Sequence, residues 1–325
     1  MAPLRGLLST LGHRGRTVLS LIAALGLMLG TFVGAVAQDM PTVAVGSKQF
    51  TEQLIVGEML ALLLEDAGYT VERQLGLAGT DIVHQALLSG EVDTYVEYTG
   101  TGLLAILGMD LPSGTPTAGA AATPVAGVDA VYDIVKNEYA EQFDLVWLDP
   151  LGFNNTYTLA LTEERAAELG VATISDLIPL SGELTLGATQ EFLARPDGLP
   201  GLMETYEGMA FADAQGFEPG LVYQAVDSGD VDVISAFATD GRIPALGLVT
   251  LEDDLGFFPP YFAAPVVRQE LLDADAAVAD VLNALAGLLD DETMAGLNAQ
   301  VDVDGEEPED VARGFLEEQG LISAA

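Results

Sequence analysis

The chain has no cysteine, and that excludes several classes at once. No disulfide, thiolate zinc site, cysteine nucleophile or lipidated cysteine anchor is available to it. Histidine is nearly absent too. His13 lies in the N-terminal segment, so His84 is the one realistic candidate for a histidine base, and a structural or solvated role suits it better. Basic residues are scarce: 11 Lys and Arg stand against 50 Asp and Glu, a formal charge of −39. Such a surface repels nucleic acid and anionic membrane. Catalytic signatures are missing as well, since no G-x-S-x-G and no H-E-x-x-H occurs. Asp302-Val303-Asp304-Gly305 looks like the start of a calcium loop, but the twelfth position is Arg313 where a glutamate is required. The residues thus point to no metal, no cofactor and no enzyme.

What is present is a globular chain, with half of its 325 residues hydrophobic. Arg5, Arg14 and Arg16 precede an apolar run over 18–36, and Ala35-Val36-Ala37 supplies a small-x-small cleavage pattern. Residues 1–37 therefore read as an export signal. The alternative is an uncleaved anchor helix, since the run is nearly long enough to span. Either way the remainder is expected outside the cytoplasm, periplasmic or at the cell surface, and membrane-tethered if the signal stays on. From Thr42 the pattern alternates: strands at 42–46, 70–74 and 93–97, helices at 52–67 and from a Thr80 cap to Gly90. That rhythm predicts α/β architecture with parallel sheets covered on both faces. The stretch 112–127 (PSGTPTAGAAATPVAG) has no apolar period and reads as a flexible insertion in the first lobe.

An internal repeat carries more information. Residues 86–102 read ALLSGEVDTYVEYTGTG and residues 225–241 read AVDSGDVDVISAFATDG, placing Tyr98 opposite Phe237. Residues 149–160 (DPLGFNNTYTLA) match 253–264 (DDLGFFPPYFAA), placing Tyr157 opposite Tyr261. The openings VAVGSKQF and LTLGATQEF also rhyme. The two pairs repeat at different offsets, which fits two similar lobes joined by an outgoing and a returning crossover strand. We expect 42–152 plus 262–325 in one lobe and 153–261 in the other. A common helix-to-strand turn explains the Ser-Gly-acid element alone, but not the matched rings.

Ligands of α/β sheets bind beyond the carboxyl ends of the strands. Tyr98 and Phe237 fall just past two such ends, Lys48 past the first strand, and Arg195 after a strand at 184–187. With the crossover tyrosines they would give a cleft of four rings and two cations. Ring faces attract a cation that cannot donate hydrogen bonds, and Lys or Arg suits a carboxylate tail. The set matches a zwitterion with a trimethylammonium head.

The motifs GSKQFTEQ (46–53), EYTGTG (97–102), GFNNTY (152–157), RPDGLPG (195–201), ISAFATDGRI (234–243) and FFPPY (257–261) are those of a known family. The chain resembles the substrate-binding proteins of osmoprotectant ABC importers of the glycine betaine, carnitine and choline class. The resemblance covers nearly everything from Val43 to Ile322. It implies a type II periplasmic-binding-protein-like fold, a monomer that catalyses nothing, and delivery of a quaternary-ammonium solute to a membrane permease. It implies a cage at Tyr98, Tyr157, Phe237 and Tyr261, ligand-tail contacts from Lys48, Thr101 and Arg195, and a further contact from Asn155. Phe237 departs from the tyrosine usual there, and the 112–127 stretch exceeds the family's usual loop. An enzyme or sensor acting on a choline-like compound is the alternative function.

Overall fold

The computed structural model describes residues 40–112 and 128–323. The expected export signal and all but Pro112 of the 112–127 insertion lie outside the described residues. Two five-stranded mixed sheets organise the rest. The first has the order β2-β1-β3-β10-β4, from β1 (Thr42–Gly46), β2 (Thr70–Gln74), β3 (Thr94–Tyr98), β4 (Leu145–Trp147) and β10 (Ala263–Arg268). The second has the order β7-β6-β8-β5-β9, from β5 (Tyr157–Thr162), β6 (Thr185–Thr189), β7 (Asp213–Phe217), β8 (Val233–Phe237) and β9 (Leu248–Thr250).

The two sheets are built to one plan. In each, three strands run parallel, and the fourth, antiparallel to them, enters from the other half of the chain: β10 pairs β3, and β5 pairs β8. The repeated Val-Asp does the same work twice. Asp93 accepts the Ala44 N–H at 2.9 Å and pairs with Arg268 at 3.2 Å. Asp232 accepts the Thr185 N–H at 2.9 Å and pairs with Arg165 at 3.0 Å. This part of the repeat is therefore structural: a carboxylate ties a parallel strand of each sheet, β1 or β6, to an arginine at or just past the end of the crossing strand, Arg268 on β10 and Arg165 on the helix after β5.

Between the sheets the chain crosses twice, and the two crossings lie side by side. Leu151 donates its N–H to the Ala263 carbonyl, Asn155 donates to the Tyr261 carbonyl at 3.1 Å, and Asn154 bridges Phe262. Both sheet faces are covered, so neighbouring residues on one strand enter different cores. On β3, Tyr95 joins a cluster with Trp147 and Tyr139, while Val96 faces the large central core. The helix Thr51–Asp66 is apolar almost all round because it is packed on several sides, the helices Asp291–Asp302 and Pro308–Glu318 included.

Some local expectations need correction. β3 and β8 each include the ring residue as their last position, because the ladder with the crossing strand extends to Tyr98↔Ala263 and Tyr157↔Phe237. Arg195 does not follow a strand directly. A five-residue helix, Gln190–Ala194, intervenes, its start capped by Thr189, whose hydroxyl accepts the Phe192 N–H. Gly79, not Thr80, caps the helix Thr80–Ser89, and the Thr80 N–H is taken by a carboxylate from the other half. Tyr261 precedes β10 rather than lying within a crossover strand.

Candidate functional site

The carboxyl ends of β1, β3, β6 and β8 converge where the two halves meet. Tyr98 ends β3, Phe237 ends β8, and Tyr157 begins β5 directly opposite Phe237. Tyr261 reaches the same point from the returning connection. It packs on Gly100, where a Cβ would come within 2.7 Å of its ring. All eight residues singled out from the sequence line one cavity: Lys48, Tyr98, Thr101, Asn155, Tyr157, Arg195, Phe237 and Tyr261.

Sequence reasoning missed a fifth ring. Phe50 stacks on Tyr98 with centroids 6.3 Å apart and on Phe237 at 5.4 Å. Phe237 meets Tyr157 at 5.0 Å, and Tyr157 meets Tyr261 edge-on at 5.6 Å. The rings therefore form a chain Tyr98–Phe50–Phe237–Tyr157–Tyr261 around the cavity. The signal was present, because Phe50 sits two positions after Lys48 and rhymes with Phe192, which packs on Tyr157 at 5.1 Å.

Buried carboxylates hold two of the rings. The Tyr98 hydroxyl donates to Glu52 at 2.7 Å and accepts from the Gln53 side chain at 3.0 Å. The Tyr261 hydroxyl donates to Asp197 at 2.6 Å. Burial pushes the phenols of Tyr98, Tyr157 and Tyr261 above the ordinary tyrosine range, so all three stay neutral. Phenols that donate to carboxylates carry more electron density in the ring, which strengthens the face they offer a cation.

Both cations are already paired. Lys48 meets Glu97 at 2.6 Å, with both side chains buried, and its ammonium lies 5.2 Å from the centre of the Tyr98 ring. Arg195 forms a two-point pair with Asp197 and donates to the Thr101 hydroxyl at 3.1 Å. Thr101 and Arg195 belong to opposite halves, as do Thr80 and Glu191, joined at 2.7 Å. The halves are thus in contact across the cavity, and Gly241 lies so close to Ala299 that a Cβ would fall 2.5 Å from its nitrogen.

Two α/β sheets of one plan, joined by paired crossings and closed over a ring-lined cavity, define a two-lobed ligand-trapping protein of the periplasmic binding type. Residues 41–318 match the profile of the substrate-binding domain of ABC-type glycine betaine transport systems, and the chain belongs to that family. It is a binding protein, not an enzyme. A glycine-betaine-binding protein of Pseudomonas aeruginosa is 38% identical over 304 residues, covering 90% of this chain and 92% of that one. An ergothioneine transport permease/ergothioneine binding protein, EgtU of Helicobacter pylori, is 36% identical over 285 residues, 87% of this chain. The chain spans 48% of that relative's length. A crystal structure of a glycine betaine/carnitine/choline ABC transporter superposes with a TM-score of 0.67 at 31% identity, covering 86% of this chain and all of that one. Among the described residues no helix is long and apolar enough to cross a membrane.

Proposed function

We propose that this protein captures a small quaternary-ammonium solute outside the cytoplasm and delivers it, as a monomer, to the permease of an ABC importer. The trimethylammonium head sits among Tyr98, Phe50, Phe237, Tyr157 and Tyr261. Thr101, Asn155, Lys48 and Arg195 contact the rest of the molecule. Residues 42–152 plus 262–325 act as one lobe and 153–261 as the other. Residues 1–37 direct export and, if retained, tether the protein to the membrane.

The observation that carries this reading is the unbroken chain of five rings around one cavity. A head group without N–H donors cannot satisfy a carboxylate by hydrogen bonding, and ring faces are the surface that suits it. The test is a calorimetric panel of glycine betaine, carnitine, choline and ergothioneine, all of which carry a trimethylammonium group. At least one is expected to bind at micromolar or tighter affinity, and none to be chemically altered. No heat from any of them, at concentrations up to the millimolar range, would overturn the reading.

A further inference from the structure

Glu52 is the second residue of the helix Thr51–Asp66, and its side chain is buried at the meeting point of four segments. It accepts hydrogen bonds from Tyr98 Oη at the end of β3 (2.7 Å) and from Asn155 Nδ2 on the outgoing connection (2.7 Å). It also accepts from Thr239 Oγ1, two residues past β8, and from Asn298 Nδ2 on the helix Asp291–Asp302 (3.2 Å). Asn298 Nδ2 also donates to the Thr239 carbonyl at 2.9 Å, so the second half is gripped there twice. No cation pairs with Glu52 among the described residues; every partner is neutral.

From this geometry we propose that Glu52 is a positioning residue that couples ligand capture to closure of the two halves; the proposal rests on reading the ring-lined cavity as the binding site. One carboxylate simultaneously holds a cage ring, through Tyr98, a wall residue of the cavity, Asn155, and the segment that follows the cage ring Phe237. Hydrogen bonds to a charged acceptor are about twice as strong as neutral ones, and a buried charge needs all of them. The Thr239 donor is available only when the second half has closed. Separation of the halves takes the Thr239 and Asn155 donors away from Glu52 and opens the carboxylate that anchors Tyr98 to water. Closure therefore sets the cage, and a filled cage favours closure.

The charged groups around it make Glu52 the sensitive member. Lys48, on the loop before the helix, is held by Glu97 on β3. Asp240 and Asp302, facing the same space from the second half and from the helix Asp291–Asp302, share Arg242. Glu52 alone of these carboxylates has no cation. Burial raises its carboxyl above the ordinary value of 4.5, and the four donors only partly offset that. A proton on Glu52 removes an acceptor and confronts the Tyr98 and Thr239 hydroxyls with a donor. Affinity is therefore full above the raised value and falls as pH drops through it, starting above the usual carboxylate range.

The test uses the full-length chain and two variants, Glu52→Gln and Thr239→Val, with choline and glycine betaine as probes. Both variants are expected to bind at least about tenfold more weakly at neutral pH. Free wild type is expected to be more compact in solution scattering than either variant. The wild-type loss of affinity as pH is lowered toward the ordinary carboxylate value of 4.5 should be absent in Glu52→Gln. Wild-type affinity, pH profile and radius of gyration in both variants overturn the coupling role. If wild type binds neither probe, the cage reading fails on its own account, and the scattering comparison alone decides the role of Glu52 in closure. Should Glu52→Gln not fold, Thr239→Val with unchanged scattering and affinity overturns the proposal.

Discussion

Phe50 and Phe237 lie face to face, with centroids 5.4 Å apart and planes within 10°, yet they belong to opposite halves of the molecule. Phe50 immediately precedes the helix Thr51–Asp66, and Phe237 ends β8 of the second sheet. Their stack exists only when the halves are together, so this ring pair links the proposed cage to closure. Phe50→Ala is expected to weaken binding of a quaternary-ammonium ligand by roughly 1–3 kcal/mol, by losing a ring face and a cross-half contact. Calorimetry on the variant checks this, and unchanged affinity would remove Phe50 from the cage.

Arg195 is the group to separate ligands with and without a carboxylate. It is tied to Asp197 and Thr101, so truncation also leaves Asp197 buried with only the Tyr261 hydroxyl from its present side-chain partners. Arg195→Ala should weaken choline modestly and glycine betaine much more, since a carboxylate loses a cationic partner. The comparison is a pair of titrations at one pH. Equal losses for both ligands would assign Arg195 to closure alone.

His84 gives a stability prediction that is independent of the site. It is buried against Tyr139 and Phe143, ring centroids 5.7 and 5.0 Å away, and among the described residues neither nitrogen has a hydrogen-bond partner. Burial holds its imidazole below the ordinary value of 6.5, which nearby Glu97 and Asp81 only partly counter. The neutral form is therefore the folded one. Its contribution is present above 6.5 and is lost as pH falls below it. His84→Phe should melt less steeply with acid than wild type, the gap between the two growing by a few degrees from pH 7.5 to 5. Parallel melting curves across that range would mean His84 is reached by solvent.

The sequence repeat made the two-sheet plan legible, because each half had to build the same ladder: Asp93 and Asp232 prove to be the same tie in two places. The cavity residues were legible for a related reason. Strand ends in α/β sheets face the ligand, and the matched rings Tyr98 and Phe237 occupied those ends. Phe50 was not found, since a phenylalanine after a loop lysine looks like core until its partner across the cleft is known. Glu52 and Glu191 were hidden for the same reason. A helix-face glutamate reads as solvated, and only the approach of Thr239 to Glu52, or of the Thr80 N–H to Glu191, shows otherwise. The extra helix before Arg195 escaped because five residues are too few to show a helical period.

The most direct measurement is a calorimetric comparison of choline with ethanolamine on the wild-type chain. The two differ only in three methyl groups on nitrogen. A cage of ring faces favours the methylated cation, while ethanolamine brings three N–H donors that need acceptors. Choline is expected to bind at least about a hundredfold more tightly, close to 3 kcal/mol, and Tyr157→Ala is expected to erase most of that difference. Comparable affinities for the two amines, or a preference that survives Tyr157→Ala intact, would contradict an aromatic cage.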